Sequence, residues 1–177
     1  MTLPADLTLR VPGAEDVGGI AALVAACDET YRAWTEPGWE PPPTGRELDR
    51  WRGRITDGSW WTRVAAEPGG RIVGLVCFTQ AVVQRTEAAL TLEPIPGRAH
   101  VSAVFTHPDR WREGVAAGLL EHAEAAMRAA GYTEVQLWTP RDAPARHFYD
   151  ATGWAHDGRM QWLAELALPI VAYVKAL

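Results

Sequence analysis

Between His100 and Ala130 an apolar run gives way within a few residues to a helical repeat. The junction reads Pro108-Asp109-Arg110-Trp111-Arg112-Glu113-Gly114-Val115-Ala116-Ala117-Gly118. Few arrangements accommodate such a segment. It predicts a strand over Ala99–Thr106, a turn, and a helix over Gly114–Ala130 with Val115, Leu119, Ala123, Ala126 and Met127 on its apolar face. Gly131 supplies a left-handed stop. Small residues at a strand-to-helix turn leave backbone N–H groups uncovered, and the helix dipole adds positive potential there, so a phosphate is a natural guest. The alternative, which the turn alone leaves open, is a structural helix start in which Gly114 and two alanines permit close packing.

The rest of the chain orders itself around that segment. Leu7–Val11 alternates like a short half-buried strand, and Pro12-Gly13 ends it. Val17, Ile20, Ala21 and Val24 recur at helical spacing on the way to Tyr31. Glu36-Pro37-Gly38-Trp39-Glu40-Pro41-Pro42-Pro43 reads as a loop, after which Thr44 caps a second helix running to about Ile55. Trp61–Ala66 and Arg71–Thr79 are strand-like and joined by the hairpin signal Glu67-Pro68-Gly69-Gly70. Glu93-Pro94-Ile95-Pro96-Gly97 is turn-rich and leads into the strand at Ala99. Val135–Thr139 forms a buried strand, Pro144–Ala151 a short helix ended by Gly153, and the last strands fall near Gly158–Gln161 and Leu168–Val174. The order is βααβββαβαββ, without internal repeats or low-complexity tracts, and it is expected to form a single domain over residues 1–177.

Composition narrows the partners. A formal charge of -5 argues against general attraction to nucleic acid or to an anionic membrane surface, and a cationic acceptor suits that balance better. Nowhere do about 18 uninterrupted apolar residues occur, and the N-terminus lacks a cationic start followed by an apolar run. A cytoplasmic protein is expected. Cys27 and Cys77 fit no metal or redox spacing and read as two buried thiols, so no metal is expected.

Downstream of the glycine turn stand Asp142, Ala145, Phe148 and Tyr149, then Gly153-Trp154. Together with Trp111-Arg112-Glu113-Gly114-Val115-Ala116 this pattern resembles the GNAT (Gcn5-related) acetyltransferase family. Its turn signature is Arg/Gln-x-x-Gly-x-Gly/Ala, and its later one is Asn-x-x-Ala-x-x-Phe-Tyr before a Gly-Phe-like pair. Trp111 stands where Arg or Gln is common, and Asp142 where Asn is common. The resemblance implies a mixed α/β fold, with a mostly antiparallel sheet of six or seven strands flanked by about four helices. It also implies acetyl-CoA as co-substrate. The amides of Trp111, Arg112, Glu113, Gly114, Val115, Ala116 and Ala117 would face the pyrophosphate, with Arg110 or Arg112 offering a cation. A splayed strand through Val104, Phe105 and Thr106 would pair with the pantetheine arm. Asp142 would contact the cofactor or cap the next helix, and Tyr149 would be catalytic, meeting the departing thiolate.

Each assignment has a plainer reading. A tyrosine four residues after Ala145 is often a packed aromatic. His100 titrates in the range a base needs, but a lone strand histidine is more often structural. Glu36, Glu40, Glu87 and Glu93 lie in or near loops and are also candidate bases, or simply solvated charges. Among nine tryptophans, Trp34, Trp39, Trp51, Trp60 and Trp61 cluster ahead of the signatures, and Trp39 in the proline-rich loop is the best candidate to touch substrate. The expected activity is transfer of an acetyl group to a primary amine, on a small molecule or a peptide, by direct attack; a homodimer is compatible. The rival is a non-catalytic acyl-CoA sensor or interaction module on the same fold. A nucleotide hydrolase fares poorly because no Gly-x-x-x-x-Gly-Lys-Ser/Thr occurs.

Overall fold

The computed structural model describes residues 2–84 and 92–177. Seven strands form one sheet: β1 (Thr8–Arg10), β2 (Trp61–Ala66), β3 (Ile72–Gln84), β4 (Leu92–Thr106), β5 (Glu134–Pro140), β6 (Ala155–Leu163) and β7 (Leu168–Ala176). Their spatial order is β1-β2-β3-β4-β5-β7-β6, antiparallel throughout except for the parallel pair β4–β5. Four α-helices accompany it among the described residues: α1 (Val17–Glu29), α2 (Thr44–Thr56), α3 (Val115–Ala129) and α4 (Ala145–Ala151). None of these is long and apolar enough to cross a membrane.

The sheet separates two cores. On one face Leu119, Ala123 and Met127 of α3 pack with Val73, Val101, Val135 and Leu137 of the strands, and with Tyr149 and Trp154 around α4. On the other, Ile20, Leu23 and Val24 of α1 and Trp51 of α2 pack on Val64, Leu75 and Ala103. Close approach of α3 depends on two glycines. A Cβ on Gly74 would lie 2.9 Å from Leu119, and one on Gly118 would lie 2.8 Å from the backbone of Leu3. Gly118, a residue of the helix itself, is where the N-terminal segment rests directly on it.

Two irregularities in β4 shape the molecule. Opposite Cys77 and Phe78 stand Ala103 and Val101, so Ser102 is an extra residue in a β-bulge. Side-chain alternation flips there: Ala99 and Val101 join the α3 core before the bulge, Ala103 and Phe105 the α1–α2 core after it. The second concerns the stretch Glu93–Gly97, expected to be a turn but in fact strand, with Val82 opposite Pro94 and Val83 opposite Glu93. Prolines are tolerated because β5 begins pairing only at Arg98, leaving their outer edge with no ladder partner to serve. Gln80 Nε2 donates to the carbonyls of Ile95 and Arg98, stitching the break in the ladder around Ala81.

Element boundaries differ from expectation by small amounts elsewhere. Thr44 is the first residue of α2 rather than its cap, Pro43 taking that place. β6 is longer than the expected Gly158–Gln161, because β7 pairs with it at Ala155–His156 and again at Met160–Leu163, on either side of an irregularity. Glu87 lies outside the described residues.

Candidate functional site

The parallel pairing of β4 with β5 runs from Arg98/Glu134 to Val101/Leu137 and stops there, although both strands continue. From Ser102 onward the two diverge, immediately beyond the bulge. β4 remains tied on its other side to β3, through Thr106 opposite Gly74 and Val104 opposite Val76. One edge of Ser102–Thr106 thus faces an open wedge, where its peptide groups, apart from the Thr106 carbonyl, are available to an extended guest.

At the wide end of this wedge lies the glycine turn. Arg112 (φ 66°) and Gly114 (φ 85°) are both in the left-handed region, so the chain curls before α3 begins. No side chain caps the helix, and its first intrahelical bond runs from Gly118 N to Gly114 O (2.9 Å). The amides just ahead of that bond have no helical acceptor and converge at the positive end of the dipole. Trp111 closes the turn onto the strand by donating Nε1 to the Thr106 carbonyl at 2.8 Å, and Cys27 Sγ reaches the same carbonyl at 3.3 Å.

The two arginines of the turn have different roles. Arg110 is held by three carboxylates, Asp6 (2.8 Å), Glu67 (2.9 Å) and Glu113 (2.6 Å). Arg112 is exposed and has no ion pair among the described residues. The free cation at the turn is Arg112.

A cavity of about 1040 Å³ joins wedge, turn and α4. Of the residues singled out from sequence, Val104, Phe105, Thr106, Trp111, Arg112, Gly114, Val115, Ala116, Ala117 and Tyr149 line it. Glu113 and Asp142 do not; Glu113 turns to Arg110, and Asp142 turns to Arg141 (2.7 Å). Nor does Asp142 cap α4, whose N-cap is Pro144. The side chain is half-exposed, and the adjacent guanidinium takes up its acceptors.

Tyr149 is buried against Phe148, Tyr173 and Trp154, with ring centroids 5.5, 5.6 and 5.9 Å away. Burial, then the neighbouring Tyr173, raises its phenol above the ordinary tyrosine range, so it keeps its proton at any physiological pH. Such a group donates; it is no base. The cysteines are free and buried as expected, and burial pushes the Cys27 thiol up to about 12, which keeps it from acting as a thiolate.

The candidate bases are not equivalent. Glu40 is drawn to Arg32 at 2.5 Å. His100 is desolvated, which pulls its imidazole down to about 4, and its Nδ1 is buried without a partner. It is neutral at pH 7, a hydrogen-bond acceptor rather than a strong base.

Two contributors, Tyr31 and Trp138, were invisible in the sequence, whereas Trp34 and Trp39 stood among its clustered tryptophans. Tyr31 and Trp34 line the α1 end of the cavity and Trp138 lines the β5 wall. Trp39 stacks beside Tyr31 (5.9 Å) and donates Nε1 to Leu166 O at 2.7 Å, bridging the proline-rich loop to the β6–β7 turn. Helical spacing placed Tyr31 on α1 without indicating which end of the sheet that helix overlies. Among the described residues there is no group of three or more His, Cys, Asp or Glu able to hold a metal ion.

Comparisons with known proteins agree with this geometry. No curated protein sequence matches the chain. Among solved structures, the PaiA N-acetyltransferase of Thermoplasma acidophilum in complex with coenzyme A superposes with a TM-score of 0.66 at 13% identity, covering 97% of this chain and 99% of that one. An acetyltransferase from Thermus thermophilus gives 0.67 at 18% identity over 100% of both chains. A spermidine N-acetyltransferase SpeG chimera from Vibrio cholerae and hSSAT gives 0.65 at 17%, covering 97% and 96%. At these identities the likeness is one of fold. Sequence supplies the rest: residues 24–154 match the acetyltransferase (GNAT) family, and the chain belongs to it.

Proposed function

We propose that this protein is an N-acetyltransferase that takes an acetyl group from acetyl-CoA and gives it to a primary amine by direct attack. The observation that carries this reading is the convergence, in one cavity, of an unpaired strand edge, an uncapped helix N-terminus and a protonated buried phenol. Each suits a different part of the same extended molecule. A structure of the same fold carries coenzyme A, which supports the reading.

The residues fit that guest in size and chemistry. The amides from Arg112 to Ala117 and the guanidinium of Arg112 would hold the diphosphate. The open edge of Ser102–Thr106 would pair with the amides of the pantetheine arm, as an added strand does, and would present N–H groups to the thioester carbonyl. The thioester supplies an activated acetyl carbon and a thiolate leaving group. An amine nitrogen forms the new C–N bond as the C–S bond breaks; Tyr149 hands its proton to the departing sulfur and regains one from solvent, to which the surplus proton on nitrogen is released. Asp142, on its arginine and away from the cavity, has no part in these steps. The reduced thiols of Cys27 and Cys77 accord with work in the cytoplasm.

A second reading, an acyl-CoA sensor, draws on the weak basicity of His100, since no strong base stands assigned. Two measurements separate them. Calorimetry should detect binding of both CoA and acetyl-CoA, and release of free CoA thiol should appear when an amine panel is added. Binding without thiol release would support the sensor, and no binding by folded protein would end both readings.

A further inference from the structure

On the α2 side of the bulge sits an arginine without a counterion. Arg54 donates Nη2 to Ser102 Oγ at 2.8 Å, which fixes it at the point where β4 and β5 part. Its guanidinium carbon lies over the rings of Trp51 (4.8 Å) and Trp60 (4.5 Å), so two aromatic faces hold its plane. The remaining donors of its fork meet no protein acceptor among the described residues. Glu47 on its own helix is taken by Trp51 Nε1 (3.1 Å) and Arg50 (2.8 Å).

A half-buried guanidinium is costly unless something pairs with it. Most arginines here have a carboxylate partner, including Arg98 with Glu134 and Arg159 with Asp157 on the same side of the sheet. Burial weakens the basicity of Arg54, and the charge of Glu47, which is not paired with it, restores only part of it. Two residues before Ser102 on β4, His100 keeps a buried Nδ1 without a partner among the described residues, and it feels the charge of Arg54. Arg54 thus stands one hydrogen bond behind Ser102, which lines the cavity where the acetyl group would be delivered, while its open side lines a separate pocket with Trp60 and Trp61.

Resting on the acetyltransferase reading above, we propose that Arg54 recognises an oxyanion on the acceptor, so that the substrate class is amines bearing a carboxylate or a phosphonate, such as free amino acids. The fork pairs with such a group in two parallel hydrogen bonds, and the Trp51–Trp60 clamp prepays the ordering of the side chain. The net charge of -5 favours cations at long range, but the group standing at the site is itself a cation.

The test compares leucine, leucinamide, isoamylamine and the phosphonate analogue of leucine, and repeats the series on other amino-acid skeletons. Thiol release should favour the anionic members over the amide and the simple amine at least about tenfold in kcat/KM, mainly through KM. The amide also mimics a protein N-terminus, and the phosphonate separates tetrahedral from planar oxyanions. Arg54→Met should bring the preference ratio close to one, and Arg54→Lys should retain part of it. Because these variants place a mutation among packed aromatics, tryptophan fluorescence titration of wild-type protein with leucine and with isoamylamine, in the presence of CoA, gives an independent readout. Preference for the uncharged or cationic amines in wild-type protein, or a ratio unchanged in folded Arg54→Met, would overturn the proposal. Failure of the acetyltransferase reading looks different: no thiol release with any amine, while leucine still perturbs the tryptophans in an Arg54-dependent way.

Discussion

Two neighbouring arginines and one tyrosine illustrate how little a residue type says until its partners are known. Arg110 and Arg112 are alike in sequence, yet Arg110 is locked to three carboxylates while Arg112 stands unpaired on a left-handed turn. Arg112→Ala is expected to raise the Kd for CoA severalfold at low salt, less at high salt, with the melting temperature little changed. Arg110→Ala should do the reverse, lowering the melting temperature because three acceptors lose their donor, with a smaller effect on Kd. Titration calorimetry and thermal denaturation of the two variants, side by side, check the pair. For Tyr149, whose proton is retained by burial, Tyr149→Phe should lower kcat by about 10²–10⁴-fold while the Kd for acetyl-CoA stays within a factor of a few. Wild-type kcat in that variant would remove the tyrosine from the chemistry.

At the scale of elements, the strand–turn–helix from β4 into α3 was legible because its determinants are local: small residues, a helical apolar stripe, a glycine stop. Gly114 and Gly118, four residues apart in one motif, nonetheless do different things. Gly114 holds φ at 85°, which a side chain strains, whereas Gly118 is in regular helix and is needed for the contact with Leu3. Gly118→Val should therefore cost about 1–3 kcal/mol of stability by overpacking, read by chemical denaturation, with CoA binding largely retained by the folded fraction. Gly114→Val should show the larger loss in CoA affinity. What the sequence could not convey lies in pairing between strands. The Ser102 bulge exists only relative to Cys77 and Phe78, and the strand character of Pro94 depends on β5 leaving its edge free. Likewise Arg54 looked like one more charge on the polar face of α2, since its burial comes from Trp60, which is beyond the helix.

For the whole molecule, two buried titrations oppose each other. Burial, aided by Glu47, pushes the Asp28 carboxyl up to about 7, while His100 is pulled down to about 4. Between roughly pH 4 and 6.5 the unfolded chain binds a proton at histidine that the folded one refuses, so this group makes stability rise with pH. Over the same interval the folded chain keeps the Asp28 proton that the unfolded one has lost, so that group makes stability fall with pH. The two slopes offset. Asp28→Asn should unmask the histidine, and its melting temperature should climb by several degrees from about pH 4.5 to 6.5 while the wild type changes less; equal slopes would refute the compensation. The bond from Trp39 to Leu166 has a consequence of its own. It fastens a loop from the first quarter of the chain to a hairpin near its end, forming a belt beside the aromatic rim of the cavity. One neutral hydrogen bond contributes only about 1 kcal/mol, a population ratio of about five, so the belt unbuckles spontaneously and often. On the acetyltransferase reading, such opening would let bulky amines approach and products depart without any trigger.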